Sequence, residues 1–477
     1  MTNSVIRNKD SILRRYSGMT SSKLALSAVE VAIREVEPRK LISNAVKRVG
    51  DKLTVLDISN KTLTYDFSDY DKFYIVGAGK ASVPMAAGLT KVLWQGNVNA
   101  MQISGSIITP YGTSKKVPGI DVIEAGHPLP DTNSVRGTKL IVSTLRRAKP
   151  ADLVFVLLSG GGSALMSLPV RGITLADKRY VTKLLLSAGA EIQDLNIVRM
   201  HLSQVKGGKL IRFSPKSTTF LTLVISDVIG DKVQIIASGP TCPDRTSFVD
   251  AKRILSKYDI WNVDNSHLSR IRKVVTNGIK EEQKGNQDIL EFNSKKNHAI
   301  IGNNTMACDA ASQYLRSKKI DTLVLGSNFD GDVAEHGKWL SHLANELQSL
   351  SSSFAVVLGG ETTVRLNKQG NNGTGGRNQE SALYALLSLK SYSGQEVSIC
   401  CVGTDGIDGN STAAGALVNG TMVNKDRDSK MQLLGYLENH DSSNAFRRLG
   451  SQVITGKTLT NVNDVNVICK LASSNRN

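Results

Sequence analysis

Cysteine is scarce in this chain. Among 477 residues there are five, Cys242, Cys308, Cys400, Cys401 and Cys469, with no C-x-x-C pair. That excludes a disulfide framework and points to a reducing compartment. No apolar run approaches the ~18–20 residues that a bilayer-crossing helix needs, so no membrane partner is expected. Aromatics make up 5 % of the chain, and the lysines and arginines are scattered rather than gathered into runs. With no finger or RNA-binding signature either, a nucleic-acid partner is not expected. Acids are the minority charge, 42 against 59 basic residues, which leaves a formal net charge of +17. Such a surplus serves solubility and also steers anionic substrates. No short-period internal repeat is found.

What is present is a globular composition, with 40 % apolar and 21 % charged residues. The length sets two or three domains. The first 29 residues hold Arg7, Lys9, Arg14, Arg15 and Lys23, several serines and one acid, Asp10. Residues 1–21 read as a flexible cytosolic tail or as part of a mitochondrial transit peptide. A cytoplasmic protein is expected, with mitochondria as the alternative.

Ser22 to Val49 reads as two helices broken at Pro38. Apolar strands then alternate with helices, which implies parallel or mixed sheets with helices on their faces. Each strand runs into a loop of small or charged residues. Phe73–Val76 enters Gly77-Ala78-Gly79-Lys80-Ala81-Ser82, followed by a helix over Met85–Val92. This is not a Walker A loop, because Tyr74 stands where its first glycine belongs. Nor is it a full dinucleotide fingerprint, because Ser82 replaces the third glycine. Lys80 can still hold a phosphate as a point charge. Val122–Glu124 precedes Gly126 to Asp131, where His127 is an acid–base candidate or a turn residue and Asp131 a helix cap. Asp152–Leu158 ends in Ser159-Gly160-Gly161-Gly162-Ser163, the kind of strand end at which open α/β sheets bind ligands. Leu165 breaks the nucleophile-elbow pattern and excludes a serine hydrolase. Asn196–Leu210 carries Arg199, His201, Lys206 and Lys209. Phe220–Ile225 leads to Asp227 and Asp231, two carboxylates that suit Mg²⁺. The polar stretch 244–297 reads as a peripheral connection. His298–Gly302 opens a second series, with a strand at Thr322–Leu325 and a helix over Asp330–Leu350. Val397–Val402 ends beside a second acidic pair, Asp405 and Asp408.

The stretch from Leu358 to Glu380 organises the second half. Phe354–Leu358 reads as a buried strand, followed by Gly359, Gly360 and Glu361, and a second strand at Thr362–Leu366. Gly370–Gly376 is too glycine-rich to hold shape alone, and Arg377 opens a helix. A glycine loop that opens a helix exposes N–H groups and the positive end of the helix dipole, which binds anions. Arg377 adds a fork for two phosphoryl oxygens. A flexible connection with a surface arginine is the plainer reading.

Together, VGAGKAS (76–82), GHPLPD (126–131), LLSGGGSAL (157–165), NIVRMHLSQVKGG (196–208), ISDVIGD (225–231), IASGPT (236–241), LGGETTV (358–364), GTGGRNQE (373–380) and GTDGIDGNSTAAGA (403–416) resemble the glycerate 2-kinase family, whose C-terminal half is the MOFRL domain. The resemblance spans almost the whole chain. It implies a Rossmann-like α/β domain over 22–297 and a second α/β domain over 298–477 containing the MOFRL region (354–470), with the active site in the interdomain cleft. It implies ATP- and Mg²⁺-dependent phosphorylation of D-glycerate to 2-phosphoglycerate, and it leaves a homodimer open. Lys80 and Arg377 match the family's catalytic lysine and arginine. Gly77, Gly79, Ser159, Gly160, Gly161, Gly162, Ser163, Gly359, Gly360, Glu361, Gly375 and Gly376 are the implied nucleotide and phosphate contacts. Arg199 and Lys206 are the implied substrate contacts, and Asp227, Asp231, Asp405 and Asp408 the implied metal ligands. Lys232 and Thr412 depart from the family pattern and put neighbouring metal ligands in doubt. The alternative is an NAD(P)H-dependent hydroxypyruvate reductase, against which stands the missing third glycine.

Overall fold

The structure, a computed structural model, describes residues 4–16, 19–94, 103–284, 296–366, 372–390, 396–422 and 427–472. The chain divides into two units, Pro38–Ile301 and Gly302–Asn477, the latter joined by Met1–Glu37.

The first unit opens with a helix, Pro38–Ala45, and an antiparallel ribbon of β1 (Val46–Val49), β2 (Lys52–Leu56) and β3 (Thr62–Asp66). Its main sheet comprises β4 (Phe73–Ala78), β5 (Ile103–Pro110), β6 (Ile120–Ala125), β7 (Leu153–Leu158), β8 (Thr219–Ile225) and β9 (Lys296–Gly302), in the order β6-β5-β4-β7-β8-β9. The strands from β6 to β8 pair in parallel. This is the 3-2-1-4-5-6 order of doubly wound sheets, which grow first to one side and then to the other. Strands covered on both faces must be apolar throughout, and β4, β7 and β8 are buried at every position. They therefore read as unbroken apolar runs in the sequence. Val76, Val156, Phe220 and Val224 pack with Ile141 and Leu145 of the helix Thr132–Arg147.

A second core in this unit is wholly helical. Leu175–Ser187, Ile192–His201, Phe248–Lys257 and Ser266–Gln283 bring Val181, Leu195, Ile254 and Ile271 together. Much of the stretch read as a peripheral connection is thus core-forming. The sequence hides this because its helices are amphipathic and polar on average. Residues 285–295 lie outside the described residues. The strand at 298–302, read as the start of the second domain, instead completes the first sheet beside β8.

The second unit's sheet comprises β10 (Asp321–Asp332), β11 (Phe354–Thr363), β12 (Glu396–Gly403), β13 (Gly415–Asn419), β14 (Gln452–Val453) and β15 (Asp464–Leu471), in the order β10-β11-β15-β12-β13-β14. β10 and β11 are parallel, while β15 runs antiparallel to both β11 and β12. β11 and β12 therefore end where β15 begins, and Asp464 pairs with Gly360 on one side and Gly403 on the other. Val356, Leu358, Ile399 and Ile468 pack against Leu340 and Leu383 of the helices Val333–Leu347 and Arg377–Ser388.

Two expected boundaries move. Gly359 and Gly360 do not end the strand, because β11 runs on to Thr363. They are close-packing glycines: a Cβ on Gly359 would lie 1.7 Å from Asn304 Oδ1, and one on Gly360 would lie 1.9 Å from Phe329 O. β10 likewise runs to Asp332, whose side chain caps the helix beginning at Val333.

The N-terminal segment is a structural part of this second unit rather than a free tail. The helix Lys9–Arg15 buries Ile12, and Ile6 is buried before it. Lys9 Nζ pairs with Glu30 at 2.7 Å, and Asn8 Nδ2 donates to Gln452 O at 2.7 Å. The helix Thr20–Glu35 buries Leu26, Val29 and Ile33 and packs on β12 and β15. Among the described residues, no helix is long and apolar enough to cross a membrane.

Candidate functional site

Parallel strands leave their carboxyl ends on one edge, and the loops of β4 and β7 diverge there because the sheet grows outward from this pair. The two glycine loops predicted at these strands form one structure. A Cβ on Gly79, at φ 148, would lie 2.1 Å from Ser159 Oγ. That close approach lets Ala81 N donate to Ser159 Oγ at 3.0 Å and Lys80 N to Gly160 O at 2.8 Å. The helix begins at Ser82, two residues beyond Lys80. Gly77 lies within β4, where a Cβ would lie 2.1 Å from Leu157 O.

Gly161 is left-handed at φ 82, and a Cβ there would lie 2.8 Å from the His127 ring and 3.6 Å from Lys80 Cγ. Lys80 and His127 therefore flank this turn. Among the described residues, neither the Gly160 nor the Gly161 amide has a hydrogen-bond acceptor. Buried amides normally find a partner, and successive unpaired donors form anion-binding concavities.

The next loops are stitched to the same turn. Lys206 is 1 % exposed, and its Nζ donates to Ser163 O at 2.8 Å, Ser163 Oγ at 3.0 Å and Ala237 O at 3.3 Å. Ser163 Oγ lies 2.9 Å from Ser238 Oγ, which donates to Asn196 Oδ1 at 3.1 Å. Burial, then the charges of Lys178 and Arg199, pushes the Lys206 ammonium well below its ordinary value. Arg199, on the helix Ile192–His201, is lowered by burial. Lys178 escaped the sequence reading because it sits in an ordinary amphipathic helix pattern. It is 5 % exposed and held down to about 7 by burial, then by Arg199 and Lys209.

In the second unit the predicted phosphate loop is already filled. Asp408, buried in the loop after β12, accepts from Asn378 N at 3.0 Å, Gln379 N at 2.8 Å and Gln379 Nε2 at 3.0 Å. Its carboxylate occupies the amino end of the helix Arg377–Ser388, where an anion was expected. Burial pushes it up to about 6 against the pull of those donors. Gly375 N donates to Asn410 Oδ1 at 2.8 Å and Thr374 N to Asp441 Oδ1 at 2.9 Å. Side chains from distant segments thus hold a loop read as shapeless; Gly370 and Asn371 lie outside the described residues.

Arg377 is also committed. Its Nε and Nη2 donate to Asp464 at 2.6 and 3.0 Å, and its Nη1 pairs with Glu361 at 2.9 Å. Burial opposes the charge, but the Asp464 carboxylate outweighs it and raises the guanidinium above its ordinary value. Asp464 was missed. Its only signal was an acid at the start of a final apolar run.

Among the described residues, no group of three His, Cys, Asp or Glu is arranged to hold a metal. Asp408 does not fit a metal ligand, because both its oxygens accept hydrogen bonds from the helix. Asp405 is partly exposed, with Oδ1 accepting from Ile407 N at 3.1 Å. Asp227 and Asp231 are partly exposed in the loop after β8. These three fit Mg²⁺, which needs only one or two carboxylates beside substrate phosphates.

Residues 24–275 match the family model described as "Domain of unknown function (DUF4147)", and residues 354–464 match the "MOFRL family". The chain is 36 % identical over 452 residues to a glycerate 2-kinase of Pyrococcus horikoshii, covering 94 % of this chain and 97 % of that one. It is 34 % identical over 449 residues to a D-glycerate 2-kinase of Thermotoga maritima, covering 93 % and 97 %. The crystal structure of a Thermotoga maritima glycerate kinase matches it with a TM-score of 0.74 at 32 % identity, over 94 % of this chain and 98 % of that one. With both domains matched in order and these identities over nearly full length, the chain belongs to the glycerate kinase family that joins a DUF4147 domain to a MOFRL domain.

Proposed function

We propose that the protein is an ATP-dependent glycerate 2-kinase, transferring the γ-phosphoryl group of ATP to the 2-hydroxyl of D-glycerate. The observation that carries this reading is the turn after β7, with the unpaired amides of Gly160 and Gly161 beside Lys80 and His127. Phosphoryl transfer asks a protein mainly for positioning and charge neutralisation. Backbone amides and a lysine beside one turn supply donors and positive charge for phosphoryl oxygens.

Lys80 neutralises charge on the transferring group, and Gly160 and Gly161 donate to phosphate oxygens. Arg199 and Lys206 hold the acid. Arg377 keeps Asp464 through Nε and Nη2, and its Nη1 exchanges the more exposed Glu361 for a phosphoryl oxygen. Lys80 lies in the first unit and Arg377 in the second. Magnesium would neutralise phosphate charge, taking protein oxygens from Asp227 and Asp231 or from Asp405. The names of the relatives supply the acid and the hydroxyl, since no residue here selects between the two hydroxyls.

The strand order also suits a nicotinamide-dependent reductase. However, β5 ends in Thr109 and Pro110, with no acid for the ribose hydroxyls. Purified protein with ATP, Mg²⁺ and D-glycerate should release ADP and form product that enolase consumes without phosphoglycerate mutase. Product that enolase cannot use would overturn the 2-hydroxyl assignment. Oxidation of NADH or NADPH by hydroxypyruvate, without ADP release, would overturn the kinase.

A further inference from the structure

We propose that β10 is the surface on which a second copy of this chain docks, with the two β10 strands side by side and antiparallel. The proposal stands on the second unit alone and is independent of the kinase reading.

β10 opens the strand order of the second sheet and pairs with β11 on one side. On its other side no strand lies among the described residues. An edge strand presents backbone donors and acceptors that another strand can pair with, so proteins blunt such edges with lysine, proline or bulges. The first half of β10, Asp321 to Leu325, holds neither lysine nor proline, and its ladder with β11 is regular up to the shift between Val324 and Gly326. None of the 12 residues of β10 is buried, whereas β11 beside it is buried from Ala355 to Gly360. Leu323 and Leu325 are 47 % and 45 % exposed, and the alternation of a strand puts them on one face. A single exposed leucine needs no explanation. Two in line beside an unpaired edge form a strip that a partner strand would cover.

The strand complements a copy of itself only when that copy is reversed. Exposed cations precede it, Arg316, Lys318 and Lys319, and the exposed acid Asp330 lies near its end. A two-fold axis through Val324 sets Leu323 against Leu325 of the partner subunit, and Lys318 near Asp330 of the partner subunit. A parallel copy would bring like charges together instead. The two-fold arrangement makes each contact twice and closes at two copies. Arg316 Nη2 donates to Thr322 O at 2.8 Å. An incoming strand takes over that carbonyl and frees Arg316 to face the same acid. The net charge of +17 makes two copies repel at long range, so a contact between them needs this local opposition of charge.

Sedimentation velocity of the full chain over the micromolar range tests the surface, and the wild type should sediment as a dimer. Leu323→Lys combined with Leu325→Lys should raise the dissociation constant about 10-fold or more. Circular dichroism should stay that of the wild type, because both side chains already face solvent. Lys318→Glu combined with Lys319→Glu should weaken the dimer, and so should Asp330→Lys. All three charge changes together should restore it, because opposite charges then face each other again. A wild type that stays monomeric throughout the range overturns the proposal. A leucine double variant that dimerises like the wild type places the contact elsewhere and overturns it as well. Charge changes that have no effect, or that weaken the dimer without restoring it when combined, overturn the antiparallel arrangement.

Discussion

At the scale of single residues, the two cations proposed for catalysis are held differently. Lys80 stands on a turn beside unpaired amides. Arg377 is clamped by Asp464 and Glu361, so its orientation is fixed before any ligand arrives. Contacts made mainly in the transition state lower kcat when removed. Lys80→Ala and Arg377→Ala should each lose about 100-fold or more in kcat, and Arg377→Lys should recover little, because a compact ammonium on a flexible stem cannot reproduce the rigid bidentate fork. Near-normal kcat in either alanine variant would reduce that residue to a steering charge. Lys178 gives a pH signature. It is held at about 7 in the folded chain against an ordinary 10.5. Between those values the unfolded chain binds the proton and the folded chain does not, so stability rises with pH. Lys178→Met, which removes a buried cation, should therefore melt higher than the wild type, by a margin greatest near pH 7 and shrinking toward pH 10 in scanning calorimetry. A gap constant across that range would disprove the buried-charge account.

At the scale of elements, one helix end decides what the second unit's glycine loop can do. Helix amino ends attract anions because their first amides are unpaired. Here Asp408 satisfies the amides of Asn378 and Gln379, so this end is a cap and not a phosphate site. Asp408→Ala should cost about 2 kcal/mol or more, combining a lost cap with stranded donors, as read from the denaturation midpoint. It should leave the Mg²⁺ requirement unchanged, whereas Asp→Asn at Asp227, Asp231 or Asp405 should raise that requirement in at least one case. A raised requirement in Asp408→Asn alone would return it to the metal. The turn after β7 has the opposite character. Gly161→Ala places a Cβ against His127 in a backbone conformation that side chains disfavour. We expect a loss of ~1–3 kcal/mol in stability from that overpacking, together with weaker ADP binding.

At the scale of the whole molecule, the net charge of +17 predicts salt sensitivity. Both proposed substrates are anions, so kcat/KM should fall between low salt and 0.5 M salt, because screening shortens the reach of surface charge. Lys178 and Lys206 are buried and Arg199 is half-buried, so salt screens them less than it screens surface charges. The D-glycerate affinity should therefore fall less than kcat/KM for ATP, and an equal fall would place the acid's binding charge at the surface.

Much of the architecture was determined by the sequence alone. β4, β7 and β8 are covered on both faces and must be apolar throughout, so they announce themselves, together with the small-residue loops at their ends. Lys80, Ser159 to Ser163 and Arg377 stand out as candidates for the same local reason. Which strands neighbour one another was not legible, since pairing is a long-range choice. Only the tertiary structure placed β9 in the first sheet and the N-terminal helices in the second unit. Only it brought Asp464 between Gly360 and Gly403, turned Asp408 into a cap, and buried Lys178. Burial and charge pairing depend on segments far apart in the chain, and no local pattern encodes them.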